Sequence, residues 1–196
     1  EIMCGIVAGV AGRDVVPVFL QGLKRLEYRG YDSCGVAVVR NGEIDRARSV
    51  ARVKDLAEQV QAEGMQGTVG IAHTRWATHG GPVVANAHPH IAGNRIALVH
   101  NGIIENFAQL RAELEATGVT MQSQTDTEVL AHLVNFYLED DLLEALKKAL
   151  SRVTGAYAVA VFDKRHPERI VGARQGSPMV VGLGEGENFI ASDAMA

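Results

Sequence analysis

The sequence predicts an α+β fold on three observations. Apolar residues make up 47% of 196 and charged residues 21%, enough to build a packed core and incompatible with intrinsic disorder. Short β-like runs recur, and helical periodicity appears elsewhere in the chain. The order is strand, helix, several strands, two or three helices, then several strands, which is not a regular βαβ alternation and places helices outside antiparallel sheets.

Eight stretches read as strands: 4–10, 35–40, 68–73, 96–100, 156–163, 169–173, 179–183 and 188–191. Each is rich in Val or Ile or alternates apolar with polar residues, and most are bounded by Gly, Asn or Asp. Asn41-Gly42 between two such segments is a two-residue hairpin signal, because both residues tolerate positive φ. Asp14 can cap a first helix whose apolar face is Val16, Phe19, Leu20, Leu23 and Leu26, with Pro17 in its first turn. A weaker helix lies near Val53, Leu56 and Val60. Another carries Phe107, Leu110 and Leu114 and ends at Gly118. Thr125 and Glu128 fit a capping box for a helix through Val129, Leu130, Leu133, Val134 and Tyr137. Asp140 and Asp141 open a last helix through Leu142, Leu143, Leu146 and Leu150.

Several function classes are disfavoured early. A net charge of −4 argues against a nucleic-acid binder, which needs clustered Lys and Arg. No apolar run approaches the roughly 18 residues of a membrane span. Residues 1–5 have no basic-then-apolar signal pattern. Two cysteines, Cys4 and Cys34, are too few for a disulfide scaffold and point to a reduced, cytoplasmic compartment. There is no internal repeat, low-complexity tract or linker. Residues 192–196 carry no stop signal, as expected of a boundary inside a longer protein.

Four stretches hold more chemistry than packing requires. Met3-Cys4-Gly5-Ile6-Val7 places a cysteine at the head of an apolar strand; by itself it reads as a small buried residue. Glu27-Tyr28-Arg29-Gly30-Tyr31-Asp32-Ser33 reads as an ordered polar loop or as a solvated turn. His73-Thr74-Arg75-Trp76-Ala77-Thr78-His79-Gly80-Gly81, followed by Asn86-Ala87-His88-Pro89-His90, holds four of the seven histidines. A metal reading is disfavoured there. Pro89 interrupts the His88/His90 alternation, and no carboxylate or Cys completes a familiar spacing. A polar ligand clamp fits better, with an Arg fork for a carboxylate and Trp as a water-excluding lid. The fourth stretch, His100-Asn101-Gly102-Ile103-Ile104-Glu105-Asn106, reads either as a simple turn or as an oxyanion hole built from an Asn amide and a Gly N–H.

Taken together with Thr125-Asp126-Thr127-Glu128, and in this order, the motifs resemble the glutaminase domain of the glutamine–fructose-6-phosphate aminotransferase family. That domain belongs to the class II, N-terminal-nucleophile amidotransferases. The resemblance covers nearly the whole chain. It implies a four-layer αββα sandwich and hydrolysis of the side-chain amide of L-glutamine, with no cofactor and no metal. Cys4 matches the nucleophile, and Asn101 and Gly102 match the oxyanion-hole pair. Arg75 matches the partner of the glutamine α-carboxylate, and Asp126 that of its α-ammonium. Thr78 and His79 match the same binding loop, Trp76 its lid, and Arg29 and Gly30 a loop bordering the nucleophile. His88 matches no catalytic position and reads as structural or supporting.

Two departures from the family pattern stand out. Glu1-Ile2-Met3 precede Cys4 and read as a vector remnant or unprocessed leader, leaving residues 4–196 as the glutaminase domain. An amide-linked Cys4 nitrogen cannot serve as the family's general base. Cys34 stands where the pattern has a small Ala. The sugar-phosphate isomerase portion that follows in the family, the partner of this domain, is missing, so the fragment is expected to release ammonia without making glucosamine 6-phosphate. A monomeric fragment is the expectation, since the synthases are held together through that portion. Three alternatives stay open: a form that binds glutamine without cleaving it, a related class II amidotransferase with another acceptor, and, more weakly, a His-rich metal hydrolase.

Overall fold

The computed structural model describes residues 4–77, 79–194 and 196, and of Arg29 the backbone alone. The expectations for Glu1-Ile2-Met3 and for Thr78 therefore fall outside the described residues, as does that for the Arg29 side chain. No described helix is long and apolar enough to cross a membrane.

Among the described residues, ten strands form two antiparallel sheets. In the first, β3 (Glu43–Ser49), β2 (Ser33–Arg40), β4 (Val69–Arg75), β1 (Gly5–Ala11), β10 (Glu187–Ala191) and β9 (Val180–Gly184) lie side by side in that order. In the second the order is β5 (His90–Ala92), β6 (Ile96–Gly102), β7 (Tyr157–Asp163) and β8 (Val171–Gln175). Helices α1 (Val16–Leu26) and α2 (Val53–Glu63) cover the first sheet, and α3 (Phe107–Ala116), α4 (Asp126–Tyr137) and α5 (Leu142–Ser151) cover the second.

The period-2 alternation of the strands sorts the side chains into three apolar layers. Val7, Val36, Val38 and Ala72 join Phe19, Leu23, Leu26, Leu56 and Val60 under α1 and α2. Leu98, Val159 and Val161 pack with Leu110, Leu130, Val134 and Leu146 under α3, α4 and α5. The intervening positions, Ile6, Ala8, Ala37, Ile71, Ala97, Val99, Ala158, Ala160 and Phe162, form the seam between the sheets. Five of those nine are alanine, so the two sheets can approach closely, with Phe162 and the two isoleucines filling the remaining space. The result is the expected αββα sandwich.

The predicted elements are present with boundaries shifted by one or two residues. Asn41 and Gly42 both have positive φ, 52° and 76°, in the turn between the paired residues Arg40 and Glu43. The N-cap of α1 is Val15, with no side-chain cap; Asp14, the expected cap, stands one residue earlier, its Oδ1 accepting from Val16 N at 3.1 Å and from Gly67 N at 3.0 Å. Strand β5 was not among the expected strands: it begins at His90, just past the Pro89 that argued against a strand there. The capping box at α4 is half formed. Thr125 Oγ1 accepts from Glu128 N at 3.2 Å, but the Glu128 carboxylate turns to Gln122 N and Ser123 N at 2.7 to 3.0 Å instead of Thr125 N. Thr125 N donates to Ser123 Oγ at 3.2 Å. The preceding loop folds back over the helix start, so its own amides take the carboxylate.

Candidate active site

Strand parity determines which side chains meet. Position 4 is in phase with Ile6 and Ala8, positions 73 and 75 with Ile71, and position 101 with Ala97 and Val99, so all four point into the seam between the sheets. Register places them at one end. Gly5 pairs with Thr74, Ser33 with Arg75, and Gly102 with Tyr157. A narrow cleft opens there, lined by Cys4, Arg75, Trp76, His88, His100, Gly102, Asp126 and Thr127.

Cys4 is half-buried. Trp76 N donates to its Sγ at 3.1 Å, and the thiol lies 3.5 Å from Trp76 O. Burial pushes the thiol up to about 11, against the opposing pull of the Trp76 N–H and the Arg75 charge. Asn101 reaches across from the other sheet: its Nδ2 donates to Cys4 O at 3.1 Å, and its Oδ1 lies 2.9 Å from His73 Nε2. Gly102 has φ 119°, and a Cβ there would sit 2.2 Å from Ala156 O, so only glycine fits.

Arg75 is buried. Its Nη1 donates to Gly81 O at 3.3 Å and pairs with Asp32 Oδ1 at 3.5 Å. Its Nη2 donates to Gly80 O at 3.3 Å and to His79 O. The guanidinium thus braces the backbone of residues 79–81. Asp32 assists from the opposite side, accepting from Ala77 N and, at 3.0 Å, from Ser33 Oγ. Asp126, the first residue of α4, accepts from Ile104 N at 2.9 Å, and its other oxygen lies 3.6 Å from His79 Nδ1. The His79 ring meets Phe107 edge-on at 4.4 Å. The Trp76 side chain is 48% exposed, beside Gly30, where a Cβ would come within 3.1 Å of the indole. The structure therefore gathers Cys4, Gly30, Arg75, Trp76, His79, Asn101, Gly102 and Asp126 at one end of the sandwich.

Four histidines in and behind the cleft wall are buried: His73, His88, His90 and His100. His73 and His88 stack at 3.9 Å with planes 10° apart, and His90 lies 5.0 Å from His88. His90 Nε2 meets Thr125 Oγ1 at 2.9 Å, and His100 Nδ1 meets Thr127 Oγ1 at 3.0 Å. Burial depresses all four, His73 and His90 to about 3, so each ring is neutral. Glu128 is lowered too, but towards its charged form. Burial would raise it, but His132, Gln122 N and Ser123 hold it near 2. No group of His, Cys, Asp and Glu able to hold a metal occurs among the described residues.

Asp32, His73, His100 and Thr127 belong to this end of the molecule but were not singled out from the sequence as site residues. The signal for His73 was its spacing of two from Ile71 and Arg75. Asp32 stood in the Glu27–Ser33 stretch read as a polar loop, but its own role was not legible there, because it depends on Arg75 and Ala77, more than 40 positions away.

A family model described as a glutamine amidotransferase domain matches residues 73–196. Curated relatives named glutamine–fructose-6-phosphate aminotransferase (isomerizing) are 60% identical in Bordetella pertussis and 54% identical in Pseudomonas putida, each over 99% of this chain. The chain covers 33% and 32% of those proteins, about a third of their length. Among solved structures, the glutamine phosphoribosylpyrophosphate amidotransferase of B. subtilis superposes with a TM-score of 0.83 at 26% identity, over 96% of this chain and 42% of that one. A glutamine aminotransferase class-II domain protein from Silicibacter pomeroyi shares the fold, with a TM-score of 0.68 at 20% identity over 96% of this chain and 88% of that one.

Proposed function

The chain belongs to the glutamine amidotransferase family, and on that premise we propose that it hydrolyses the side-chain amide of L-glutamine to L-glutamate and ammonia. The observation that carries this reading is the Asn101 amide, held from the opposite sheet against the Cys4 main chain at 3.1 Å. A cysteine flanked by a fixed amide donor and a glycine-only backbone position is suited to attack a carbonyl carbon and receive the resulting negative oxygen.

In this reading the α-amine of Cys4 takes the thiol proton, which a thiol raised to about 11 does not release unaided at neutral pH. The thiolate attacks the amide carbon. Asn101 Nδ2–H and Gly102 N–H stabilise the tetrahedral oxyanion. The protonated amine returns its proton to the departing nitrogen, ammonia leaves, and water hydrolyses the thioester to glutamate. Arg75 takes the glutamine α-carboxylate by exchanging its carbonyl partners at residues 79–81, and Asp126 takes the α-ammonium. Trp76, His79 and Gly30 border the cleft, and we assign Thr78 and Arg29 to glutamine binding with them.

The acceptor we propose is fructose 6-phosphate, handled by the part of the relatives that lies beyond this third of their length. We place the protein in the cytoplasm, consistent with two free thiols, and expect this segment alone to be monomeric. The test is glutamate release from L-glutamine by protein bearing a free Cys4 α-amine. Cys4→Ala should abolish it and Asn101→Ala should slow it about 10²–10³-fold. Undiminished turnover in Cys4→Ala would refute the reading.

A further inference from the structure

Asn101 can act as an oxyanion donor only if its amide is the right way round. An inverted amide would present its oxygen to Cys4 O and its NH₂ to His73, losing both hydrogen bonds. Two main-chain carbonyls determine the orientation: Cys4 O, which takes the amide NH₂ directly, and His100 O, which acts through His73. His73 Nε2 lies 3.1 Å from His100 O and 2.9 Å from Asn101 Oδ1. A peptide carbonyl only accepts, so Nε2 carries the ring proton and shares it between the two oxygens. Nδ1 is then the bare nitrogen, consistent with its having no hydrogen-bond partner. The ring cannot readily turn over, because it is buried and stacked on His88 at 3.9 Å, 10° from parallel. With Oδ1 thus held, Nδ2 faces Cys4. One of its two hydrogens goes to Cys4 O at 3.1 Å, and the second remains for a ligand oxygen.

We propose that His73 is a positioning residue for the amide hydrolysis: through its Nε2–H it locks the Asn101 side-chain amide with the NH₂ group towards Cys4. His73 touches neither the thiol nor the glutamine. Its burial keeps the ring neutral and in one tautomer across the working pH range, so the orientation does not change with pH. The inference rests on the glutaminase reading above for its catalytic consequence, but not for its geometry.

The test uses protein with a free Cys4 α-amine. His73→Phe keeps a stacking ring and removes the donor, and it should lower kcat about 10²-fold with KM changed less than about threefold. His73→Gln, whose amide can donate to the same two oxygens, should recover at least about tenfold of that loss. In an Asn101→Ala background His73→Phe should add less than about threefold, because the group it positions is gone. A His73→Phe enzyme within about threefold of wild-type kcat, or losses that multiply in the double variant, would overturn the proposal. Should the variants fail to fold, ring-nitrogen NMR on the unaltered protein decides: Nε2 protonated and Nδ1 bare from pH 5 to 8 supports it, and an Nδ1–H tautomer or an imidazolium overturns it. Failure of the glutaminase reading shows separately, as no glutamate from the wild type or full kcat in Asn101→Ala, and removes the catalytic half of the proposal with it.

Discussion

Lowering the pH from 7 to 5 should destabilise this protein steeply, and the buried histidines set the magnitude. In the unfolded chain their imidazoles bind a proton near pH 6.5. In the folded protein desolvation holds His73 and His90 to about 3, and His88 and His100 are lowered in the same sense. The charges facing His90 do not reverse this. Glu128 favours its protonation, but burial, Arg48 and Arg46 oppose it. Between pH 6.5 and 3 the unfolded state therefore binds more protons than the folded one, and stability falls as pH falls. At pH 5 the difference is about 1.5 pH units below the unfolded value, roughly 2 kcal/mol for each ring, or about 4 kcal/mol from His73 and His90 together. That is a large share of the roughly 5–15 kcal/mol typical of a domain. Glu128, held near 2, adds its own loss only below its unfolded value of about 4.5. The assay is urea unfolding followed by circular dichroism at pH 7, 6 and 5, with constant ionic strength. A folding free energy that changes by less than about 1 kcal/mol over this range would refute the claim that these rings are buried and neutral.

Three further outcomes follow from particular contacts. A form whose Cys4 nitrogen is peptide-bonded to Met3 has no amine base. With the thiol pushed up to about 11 and no amine to take its proton, thiolate is scarce at neutral pH, so glutamate release should be at least about 10²-fold slower than in a form beginning at Cys4. N-terminal sequencing of the assayed sample checks this, and intact Glu1 with full turnover contradicts it. Gly102→Ala should cost at least about 2 kcal/mol in denaturant unfolding, because its Cβ would sit 2.2 Å from Ala156 O at φ 119°; a loss under about 0.5 kcal/mol would contradict it. Thr125→Ala should cost about 1–2 kcal/mol, since it removes both the cap on Glu128 N and the partner of His90 Nε2, whereas Thr125→Ser should retain most of the stability.

Local patterns in the sequence were sufficient for what depends on near neighbours. The apolar alternation of β1, β4, β6 and β7, the Asn41-Gly42 turn and the helix faces of α1, α4 and α5 were legible because each is a matter of periodicity or capping within a few residues. The motif stretches were legible for a similar reason: Arg75-Trp76, Asn101-Gly102 and Asp126 stand in runs whose polarity packing does not require. Tertiary structure alone decided how they combine. Strand parity and register carry Cys4, Arg75 and Asn101, up to 97 positions apart, into the same end of one seam. The loop preceding α4 drew Glu128 away from its reciprocal cap. His73 acquired its place only when the second sheet brought His100 O and Asn101 within reach of one ring nitrogen. Propensity and capping act along the chain, whereas burial, the orientation of an amide and the depressed basicity of an imidazole arise from atoms distant in sequence that meet only in the folded protein.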